Sequence, residues 1–287
     1  MVKYSLKLHN KIDLIKILLG FLEFKLFSVS QKKEDLIVIN YHGVQKKFIS
    51  SFSKQIDFLE KFFTIIYPLD LEKHFGEKRN YQGPPLLLIT FDDGTKNVIN
   101  AIRVLEKRNL KSMIFVVPEF IDSIDQKDFF RKQIRSNINV NIDSKDEDFT
   151  ALNWEELKIL IENKHCVGSH TYTHGMSYSD TNQKLIKEII LSKKRIEYKL
   201  NNKINSFCSI NNSLESLNKE ASKLIKKNYR FHFTTVAGKN NQRLRYSIKR
   251  INVEAHWSKY QFIFALSRIG KLRWKLKAKK IDELMMY

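Results

Sequence analysis

The sequence predicts an α/β fold in which parallel strands alternate with helices. An apolar strand at 86–91 is followed by a helical pattern and then by a second apolar strand, Met113 to Val117, which Pro118 ends. This strand–helix–strand order is typical of parallel pairing. The polar motifs directly follow predicted strands, which places them at the carboxyl-terminal rim of a parallel sheet or barrel. Periodicity alone does not distinguish a closed barrel from an open doubly wound sheet.

The remaining elements follow from the order of hydrophobic residues along the chain. Residues 12–27 have a helical pattern with a narrow polar stripe, and a polar linker at 31–35 leads into the first strand. Residues 119–150 are polar and mixed, which indicates an insertion. Hydrophobic spacing predicts helices and strands elsewhere: helices at 53–63, 98–105, 154–163, 183–200 and 215–227, and strands at 166–169 and 229–235. A chain of 287 residues with 43% apolar residues can bury one large core.

Two short motifs carry the candidate chemistry. Asp92 and Asp93 follow strand 86–91, and His170 and His174 follow the second short apolar stretch. One carboxylate and two imidazoles can hold a catalytic Zn²⁺ and leave one position open for water, and the other carboxylate is then free to act as a base. Zn²⁺ suits this ligand set best, although Co²⁺, Fe²⁺ or Ni²⁺ would also fit. For either motif alone, a turn after a strand or packed histidines are the alternative.

The two motifs also resemble those of a known family. The TFDDG and H-T-x-x-H runs resemble the first two motifs of the polysaccharide deacetylases, the NodB-homology group of carbohydrate esterases. Segments 37–44, 152–157 and 250–253 resemble further parts of one branch of that family. The resemblance implies a distorted (β/α) barrel with fewer closed strands than the eight-stranded form, with helices flanking it at both ends.

We expect the chain to divide into three segments. The first, 1–34, is an N-terminal amphipathic helix and linker. The second, 35–255, is the deacetylase-like catalytic domain that carries the resemblance. The third, 256–287, is a basic amphipathic tail.

The resemblance implies a role for each motif residue. Asp93, His170 and His174 are the metal ligands, and Asp92 is the general base. The implied reaction is hydrolysis of an N-acetyl or similar N-acyl group on an amino sugar of an envelope or lipid-linked glycan. In that reaction the metal polarises the amide carbonyl and acidifies its bound water. A backbone N–H near Asn211 is expected to help hold the oxyanion.

The third family motif is altered in this sequence. Residues 207–213 stand where the family usually has an Arg-x-Pro-aromatic-Gly or a Tyr-Pro-x-Gly run, with Ile210 for the proline and Asn212 for the glycine. Asparagine adopts positive φ more readily than most residues, so the turn can be retained. The alteration favours an alternative interpretation, a catalytically inactive relative that binds glycan or scaffolds other enzymes.

The late Leu-x-His motif that supplies a general acid in many family members has no clear match. His42 is our first substitute, because the related branch has a Tyr-His pair there, and Tyr41 is then a candidate substrate contact. His256 is the second substitute. A packed or capping histidine is the alternative for both.

The charge balance indicates a polyanionic partner. The chain has 51 basic and 31 acidic residues, a net charge of +20. No zinc finger or aromatic RNA-binding motif is present, so nucleic acid is not expected. Aromatic residues beside a basic run between 257 and 280 suit an anionic bilayer surface. The alternatives are a packed terminal helix with a solvated basic face, or a lysine-rich composition with no specific meaning.

The sequence also predicts a compartment. Charges interrupt the apolar stretch at 12–27 and no cleavage site follows it, so we expect no signal peptide. No uncharged run approaches the ~20 residues of a membrane span. Cys166 and Cys208 are interpreted as reduced core residues. The expected location is the cytoplasm, with peripheral association on the inner face of the membrane as a further hypothesis.

Overall fold

The structure is a computed structural model that describes residues 36–75, 81, 83–134, 149–211, 213–241 and 243–286, together with Ile15, Leu18, Leu19 and Leu22. Within these residues the strands are β1 (Leu36–Tyr41), β2 (Thr64–Ile65), β3 (Leu86–Phe91), β4 (Met113–Val116), β5 (Cys166–Ser169), β6 (Ser206–Cys208), β7 (Phe231–Phe233) and β8 (Ile251–Asn252).

The strands form one curled parallel sheet. Its order is β7-β6-β5-β4-β3-β1-β8, with β2 beside the start of β3, and every pairing is parallel. The two ends of this path also meet. The Thr234 N–H donates to the Ile248 carbonyl at 2.8 Å, and the Ile248 N–H donates to the His232 carbonyl at 2.9 Å. The predicted distorted (β/α) barrel is therefore confirmed.

Helices surround the sheet. In chain order they are α1 (Ile49–Phe62), α2 (Leu71–His74), α3 (Val98–Glu106), α4 (Pro118–Asp122), α5 (Gln126–Phe129), α6 (Trp154–Glu162), α7 (Asn182–Leu185), α8 (Ser192–Leu200), α9 (Ser213–Ser216), α10 (Lys219–Asn228), α11 (Lys259–Leu266), α12 (Arg268–Leu272) and α13 (Lys275–Met286). A π-helical turn, Phe130–Ile134, follows α5, and a second, Ile186–Leu191, joins α7 to α8.

The alternation of side chains along each strand divides the core in two. Ile37 and Ile39 of β1 pack with the surrounding helices in the larger cluster. Leu36 and Val38 face the barrel interior, where the smaller cluster also contains Phe115. The same interior face continues toward the carboxyl ends of the strands with polar residues. The fold thus places a buried polar layer on top of an apolar barrel floor.

The predicted elements are mostly confirmed, and the differences are local. Helix 53–63 begins earlier, at Ile49, and helix 183–200 is interrupted by a π-helical turn. The predicted insertion at 119–150 contains most of α4, then α5 and a π-helical turn as far as Ile134, and residues 135–148 lie outside the described residues. The predicted helix at 12–27 also lies outside them, except for Ile15, Leu18, Leu19 and Leu22, which are helical.

The C-terminal helices pack against the barrel. Ile281 and Met285 of α13 are buried, and the Ser222 hydroxyl donates to the Leu284 carbonyl at 3.2 Å. In α11, the apolar residues expected to contact a bilayer are partly core residues: Phe262, Ile263 and Leu266 are buried. Among the described residues, no helix combines the length and apolar content that a membrane span requires.

Candidate active site

A strained turn begins directly after Asp92, at the end of β3. The Asp92 N–H donates to the Tyr41 carbonyl at 2.9 Å, which holds Asp92 in line with the sheet. Asp93 and Gly94 then take left-handed conformations, with φ of 67° and 68°. A Cβ on Gly94 would lie 2.8 Å from Val116 Cγ1, so only glycine fits. The turn gives two adjacent carboxylates different surroundings.

A second strained turn carries the histidines. The His170 N–H extends the β5 pairing by donating to the Val116 carbonyl at 2.9 Å. Thr171 and His174 are both left-handed, with φ of 67° and 61°, and the His174 N–H donates to the Thr171 hydroxyl at 3.0 Å. Such conformations cost about 1–3 kcal/mol each and persist only where the surrounding contacts enforce them.

Those contacts come from the π-helical turn between α7 and α8 and from the first residue of α8. Its buried Glu188 accepts the N–H groups of Tyr172 and Thr173, both at 3.0 Å, and the Thr173 hydroxyl at 2.7 Å. The Ser192 hydroxyl donates to the Thr171 carbonyl at 3.0 Å. A π-turn rotates following residues out of helical register, and such turns often occur at functional sites. Here it aims a carboxylate at the histidine loop.

The two turns bring Asp93, His170 and His174 together. Asp93 Oδ1 lies 3.6 Å from the Nε2 atom of each histidine, and all three residues are buried. The Nδ1 atoms lie 3.1 Å from backbone carbonyls, His170 from Cys208 and His174 from Gln133. Because a carbonyl can only accept, each Nδ1 carries the proton and each Nε2 presents a lone pair toward Asp93.

This arrangement fits a divalent metal. Zinc bonds of roughly 2.0–2.1 Å in tetrahedral geometry hold the ligand atoms roughly 3.4 Å apart. The separations of 3.6 Å around Asp93 Oδ1 are close to that value. Burial lowers the pKa of His170, which favours the neutral imidazole that ligates a metal. Three protein donors also leave a fourth position open, as a catalytic site requires.

A second group of potential ligands, Asp92, His170 and Cys208, lies within the same few ångströms. It is a poorer metal site for two reasons. Both oxygens of Asp92 already accept hydrogen bonds from Arg250, and burial raises the pKa of the Cys208 thiol well above its usual value. The thiol therefore stays protonated beside a guanidinium. We assign the metal position to Asp93, His170 and His174.

Asp92 forms a fully buried, two-pronged ion pair. Arg250 Nη1 and Nη2 donate to its two carboxylate oxygens at 2.7 and 2.8 Å, and the Asn40 amide donates to Oδ2 at 3.0 Å. Burial alone would raise the pKa of Asp92, but Arg250, His170 and His42 together outweigh it and hold the pKa well below its usual range. Asp92 is therefore ionised at neutral pH.

Arg250 is fixed by further contacts in the polar layer. Its Nε donates to the Thr234 carbonyl at 2.8 Å, Nη1 reaches the Asn40 side-chain oxygen at 2.9 Å, and Nη2 lies 2.7 Å from Cys208 Sγ. The pairing of Asp92 raises the pKa of Arg250 further, despite burial that would lower it. The guanidinium is a permanent positive charge under the site.

The structure places His42 beside Asp92 and leaves Asn211 exposed in the altered third motif. His42 is half-buried, its carbonyl accepts the Thr95 hydroxyl at 3.0 Å, and it is near enough to Asp92 to affect that carboxylate. Among the described residues no hydrogen-bond partner reaches its buried Nδ1. Asn211 is exposed and left-handed with φ of 49°, so positive φ occurs in the altered third motif, and Asn212 lies outside the described residues.

Tyr41 and His256 are not placed with the metal ligands. The Tyr41 hydroxyl donates to Gln55 Oε1 at 2.9 Å, and its ring packs against Phe52 in the outer core. Strand alternation explains this, since Asn40 points inward and Tyr41 must point outward. The side chain is thus unsuited to the substrate contact expected from the sequence, and only its carbonyl supports the site. His256 is exposed, with its ring 5.6 Å from that of Phe48.

Two residues that shape the site were not assigned a role from the sequence. Arg250 was noted only as part of a late strand, although an arginine before an alternating apolar segment can indicate a buried partner. Glu188 gave a weaker signal, because it lies in a helix among other charged residues. Its burial depends on the π-helical turn, which hydrophobic spacing does not predict.

Comparison with known proteins identifies the family. The family model described as polysaccharide deacetylase matches residues 79–230, more than half of the chain. The chain therefore belongs to the polysaccharide deacetylase family, whose members are hydrolases that deacetylate glycans and generally depend on a metal. No curated protein matches the chain.

Solved structures share the fold at low sequence identity. The Streptococcus pyogenes deacetylase PplD, in complex with acetate, is 14% identical with a TM-score of 0.62, covering 81% of this chain and 97% of the other. IcaB from Ammonifex degensii is 21% identical with a TM-score of 0.58, covering 81% and 97%. A de-N-acetylase from Aggregatibacter actinomycetemcomitans is 14% identical with a TM-score of 0.55, covering 78% and 96%.

Proposed function

We propose that this protein is a metal-dependent hydrolase that removes an N-acyl group, N-acetyl in the first instance, from an amino sugar. The observation that carries the proposal is the convergence of Asp93 Oδ1 with the Nε2 atoms of His170 and His174, each histidine held by a carbonyl on its other nitrogen. Zn²⁺ is the metal that suits this donor set best. We assign the catalytic unit to residues 35–255.

Asp92 is proposed as the general base. Its carboxylate lies 3.8 Å from His170 Nε2, beside the metal position, and Arg250 keeps it ionised and oriented. When bound, a divalent metal would polarise the substrate carbonyl and acidify water in the open position. Asp92 can accept the proton of that water, and a separate acid then protonates the leaving amine. Arg250 lowers the basicity of Asp92. The contribution of Asp92 to catalysis therefore depends on its position as much as on its proton affinity.

His42 is proposed as the acid that protonates the leaving amine. It lies at the carboxyl end of β1. In sheet order this is on the other side of Asp92 from the histidine loop, so the carbonyl and the amine of a substrate amide can be contacted from different strands. A backbone N–H near the left-handed Asn211 is proposed to help hold the oxyanion. His256, which is exposed, is the second candidate for the acid.

The substrate is proposed to be an envelope or lipid-linked glycan that contains amino sugars. Family membership supports the glycan, and two structural relatives support the acetyl group: PplD was solved in complex with acetate, and the Aggregatibacter protein is a de-N-acetylase. A lipid-linked substrate would fit the basic C-terminal helices if the enzyme works at the cytoplasmic face of the membrane.

The direct test is acetate release from acetylated amino-sugar oligomers, with and without a chelator. Asp92→Asn should keep the metal but lose activity by roughly a hundredfold or more, as expected for a lost general base. Asp57→Asn, the same change at an exposed aspartate of α1, is the control for the substitution itself and should keep both metal and activity. Near-normal turnover of Asp92→Asn would assign the base to another group.

The alternative is an inactive relative that binds glycan or scaffolds other enzymes. The altered third motif, with Ile210 buried and Asn211 exposed, favours it. The intact ligand set opposes it. Stoichiometric metal and saturable glycan binding without acetate release from any acetylated amino sugar would favour this alternative.

A further inference from the structure

A basic cleft lies between the barrel and the C-terminal helices. One wall is the loop at 237–241, and the other is formed by α12 and α13. The cleft has a volume of about 590 Å³. A Cβ on Gly238 would lie 2.9 Å from Lys249 Cγ and 3.3 Å from Ala278 Cβ, so glycine allows the two walls to meet at the base. The packing of the two walls at Gly238 therefore defines the base of the cleft.

The lining of the cleft is positively charged. Its cations are Lys239, Lys249, Arg268, Lys271, Lys275 and Lys279, and its single acid is Asp282. Asp282 is already bound, because the buried Lys249 ammonium and the Ser247 hydroxyl both donate to it. Lys239, Arg268 and Lys275 form no ion pair with any carboxylate in the part of the chain that the structure describes. The cleft therefore has an excess of positive charge available to an anion.

Exposed aliphatic residues lie on the helices that form one wall of the cleft, and one of them, Leu272, lines it. Ile269, Leu272 and Leu276 are 45%, 62% and 75% exposed and recur at helical spacing along α12 and α13. Trp274 lies between them in sequence, with Arg273 and Lys277 stacked over its ring at 5.2 and 5.4 Å. Exposure of leucine side chains to water is unfavourable. At a bilayer surface the leucines can enter the acyl layer while the neighbouring lysines contact lipid phosphates.

We propose that this cleft binds the phosphate of an anionic lipid headgroup and docks the protein on a membrane, with Leu272 and Leu276 inserted between acyl chains. The aliphatic rim favours lipid over nucleic acid, which would select stacking aromatics along a basic groove. The proposal is independent of the proposed deacetylase activity.

The position of the cleft relates docking to the active site. A smaller cavity shares Ala237 with the cleft and is also lined by Arg250, Asn252 and Trp257. The Asn252 oxygen accepts the Asn40 amide at 3.2 Å, and Asn40 contacts Asp92. Docking through the cleft would therefore hold β8, one wall of the active site, close to the lipid surface.

Sedimentation of the full-length protein with vesicles tests the proposal. Wild type should bind phosphatidylcholine vesicles that contain phosphatidylglycerol, bind pure phosphatidylcholine weakly, and be released by salt. The double variant Lys239→Glu, Lys275→Glu changes one cation on each wall. It should lower the vesicle partition coefficient by roughly 25-fold or more, since each lysine near the surface is worth ~1 kcal/mol.

Matched variants separate the cleft from net charge. Lys54→Glu with Lys107→Glu makes the same charge change at exposed positions on α1 and at the end of α3 and should bind almost as wild type. Leu272→Ser with Leu276→Ser should weaken binding, whereas Leu69→Ser with Leu191→Ser, also exposed, should not.

Three outcomes would overturn the proposal: equal loss in the cleft and control variants, wild-type binding that ignores anionic lipid, and tighter binding of duplex DNA than of vesicles through the same lysines. Acetate release from a soluble substrate should be unchanged in the cleft variants, which separates failure of docking from failure of the catalytic assignment.

Discussion

At the scale of single residues, the guanidinium of Arg250 defines the site as much as the metal ligands do. It arrives from the segment just before β8, 2.7 Å from Cys208 Sγ, and binds both oxygens of Asp92. In the Arg-x-Pro form of the family's third motif, an arginine would stand at position 208, where this chain has cysteine. Here a positive charge from the segment before β8 lies beside that cysteine.

Replacing Arg250 should destabilise the protein and change the pH dependence of the reaction. Arg250→Gln leaves a buried carboxylate unpaired, so the free energy of unfolding should fall by about 3–5 kcal/mol in urea titrations. Arg250→Lys keeps the charge but loses the two-pronged contact. Because a lysine cannot donate to both Asp92 oxygens in this geometry, the ionised carboxylate is less stabilised, the pKa of Asp92 should rise, and the acidic limb of the pH–rate profile should move to higher pH.

Arg245→Lys is the control for Arg250→Lys. Arg245 donates to Glu72 and to the Phe75 carbonyl away from the metal ligands, so its replacement should leave the profile in place. An unmoved acidic limb in Arg250→Lys would show that Asp92 does not limit the rate at low pH.

Alanine substitutions at His42 and at His256 should show which of the two is the general acid. His42→Ala should reduce kcat by roughly a hundredfold while metal content and the unfolding midpoint stay unchanged, because general acid–base catalysis contributes about that much. His256→Ala should remain close to wild type, since the residue is exposed and its recorded contact is with Phe48. The reverse result, a slow His256→Ala and a normal His42→Ala, would exchange their roles.

At the scale of elements, the histidine loop depends on a helix that contributes no ligand. Glu188 satisfies two backbone N–H groups and a hydroxyl of the loop, and Ser192 holds the carbonyl of Thr171. Without these contacts, the left-handed conformations at Thr171 and His174 would have no compensation. The π-helical turn therefore contributes to the stability of the metal site.

Glu188→Ala should weaken metal binding by roughly 10–100-fold, the usual effect of losing a contact behind the ligands. Metal affinity can be measured by competition with a chromogenic chelator. Glu197→Ala is the matched control, because Glu197 lies on the adjoining α8 and accepts the Ile204 N–H at 2.9 Å, far from the histidine loop in sequence. An equal loss of affinity in both variants would reduce the role of Glu188 to general helix stability.

At the scale of the whole molecule, buried neutral histidines should make stability fall in acid. Burial lowers the pKa of His232 from 6.5 to about 4. The ring lies 2.8 Å from the Tyr246 carbonyl and 3.0 Å from the Ser209 hydroxyl. The unfolded chain binds a proton to this residue between those two pH values and the folded chain does not, so stability is complete above pH 6.5 and is lost as pH falls toward 4.

For His232 that loss amounts to at most roughly 3 kcal/mol. Urea unfolding between pH 7 and pH 4 should show it, and His232→Asn should flatten the dependence. His256→Ala, at an exposed histidine, should leave the slope unchanged. An unaltered slope in His232→Asn would assign the acid sensitivity to other groups.

Much of the fold follows from local pattern, and the rest depends on contacts between distant residues. Strand 86–91 and the carboxylates after it were predictable, because apolar runs and strand-end motifs are local. The pairing of Asp92 with Arg250 joins residues 158 positions apart. The orientation of Tyr41 was not predicted, because the motif shows only where the residue lies along the chain. The alternation of side chains along β1 decides that its ring points outward.

The tail shows the same limit at a larger scale. Its basic and aromatic composition predicted a surface role, but the burial of Phe262, Ile263 and Leu266 reflects packing that the sequence alone does not reveal. The exposed apolar residues are instead Leu272 and Leu276, which follow in the next two helices. Net charge is a property of composition, whereas the cleft exists only once the 237–241 loop meets α13.

The central claim is that Asp93, His170 and His174 hold one divalent metal on which acetate release depends. The most direct measurement is the metal content of purified wild type and of the His170→Ala, His174→Ala double variant, with acetate release followed in the same samples. We predict about one equivalent of metal and activity in wild type, with loss of both in the double variant and after chelation. Full metal content in the double variant, or undiminished acetate release from metal-free protein, would contradict the claim.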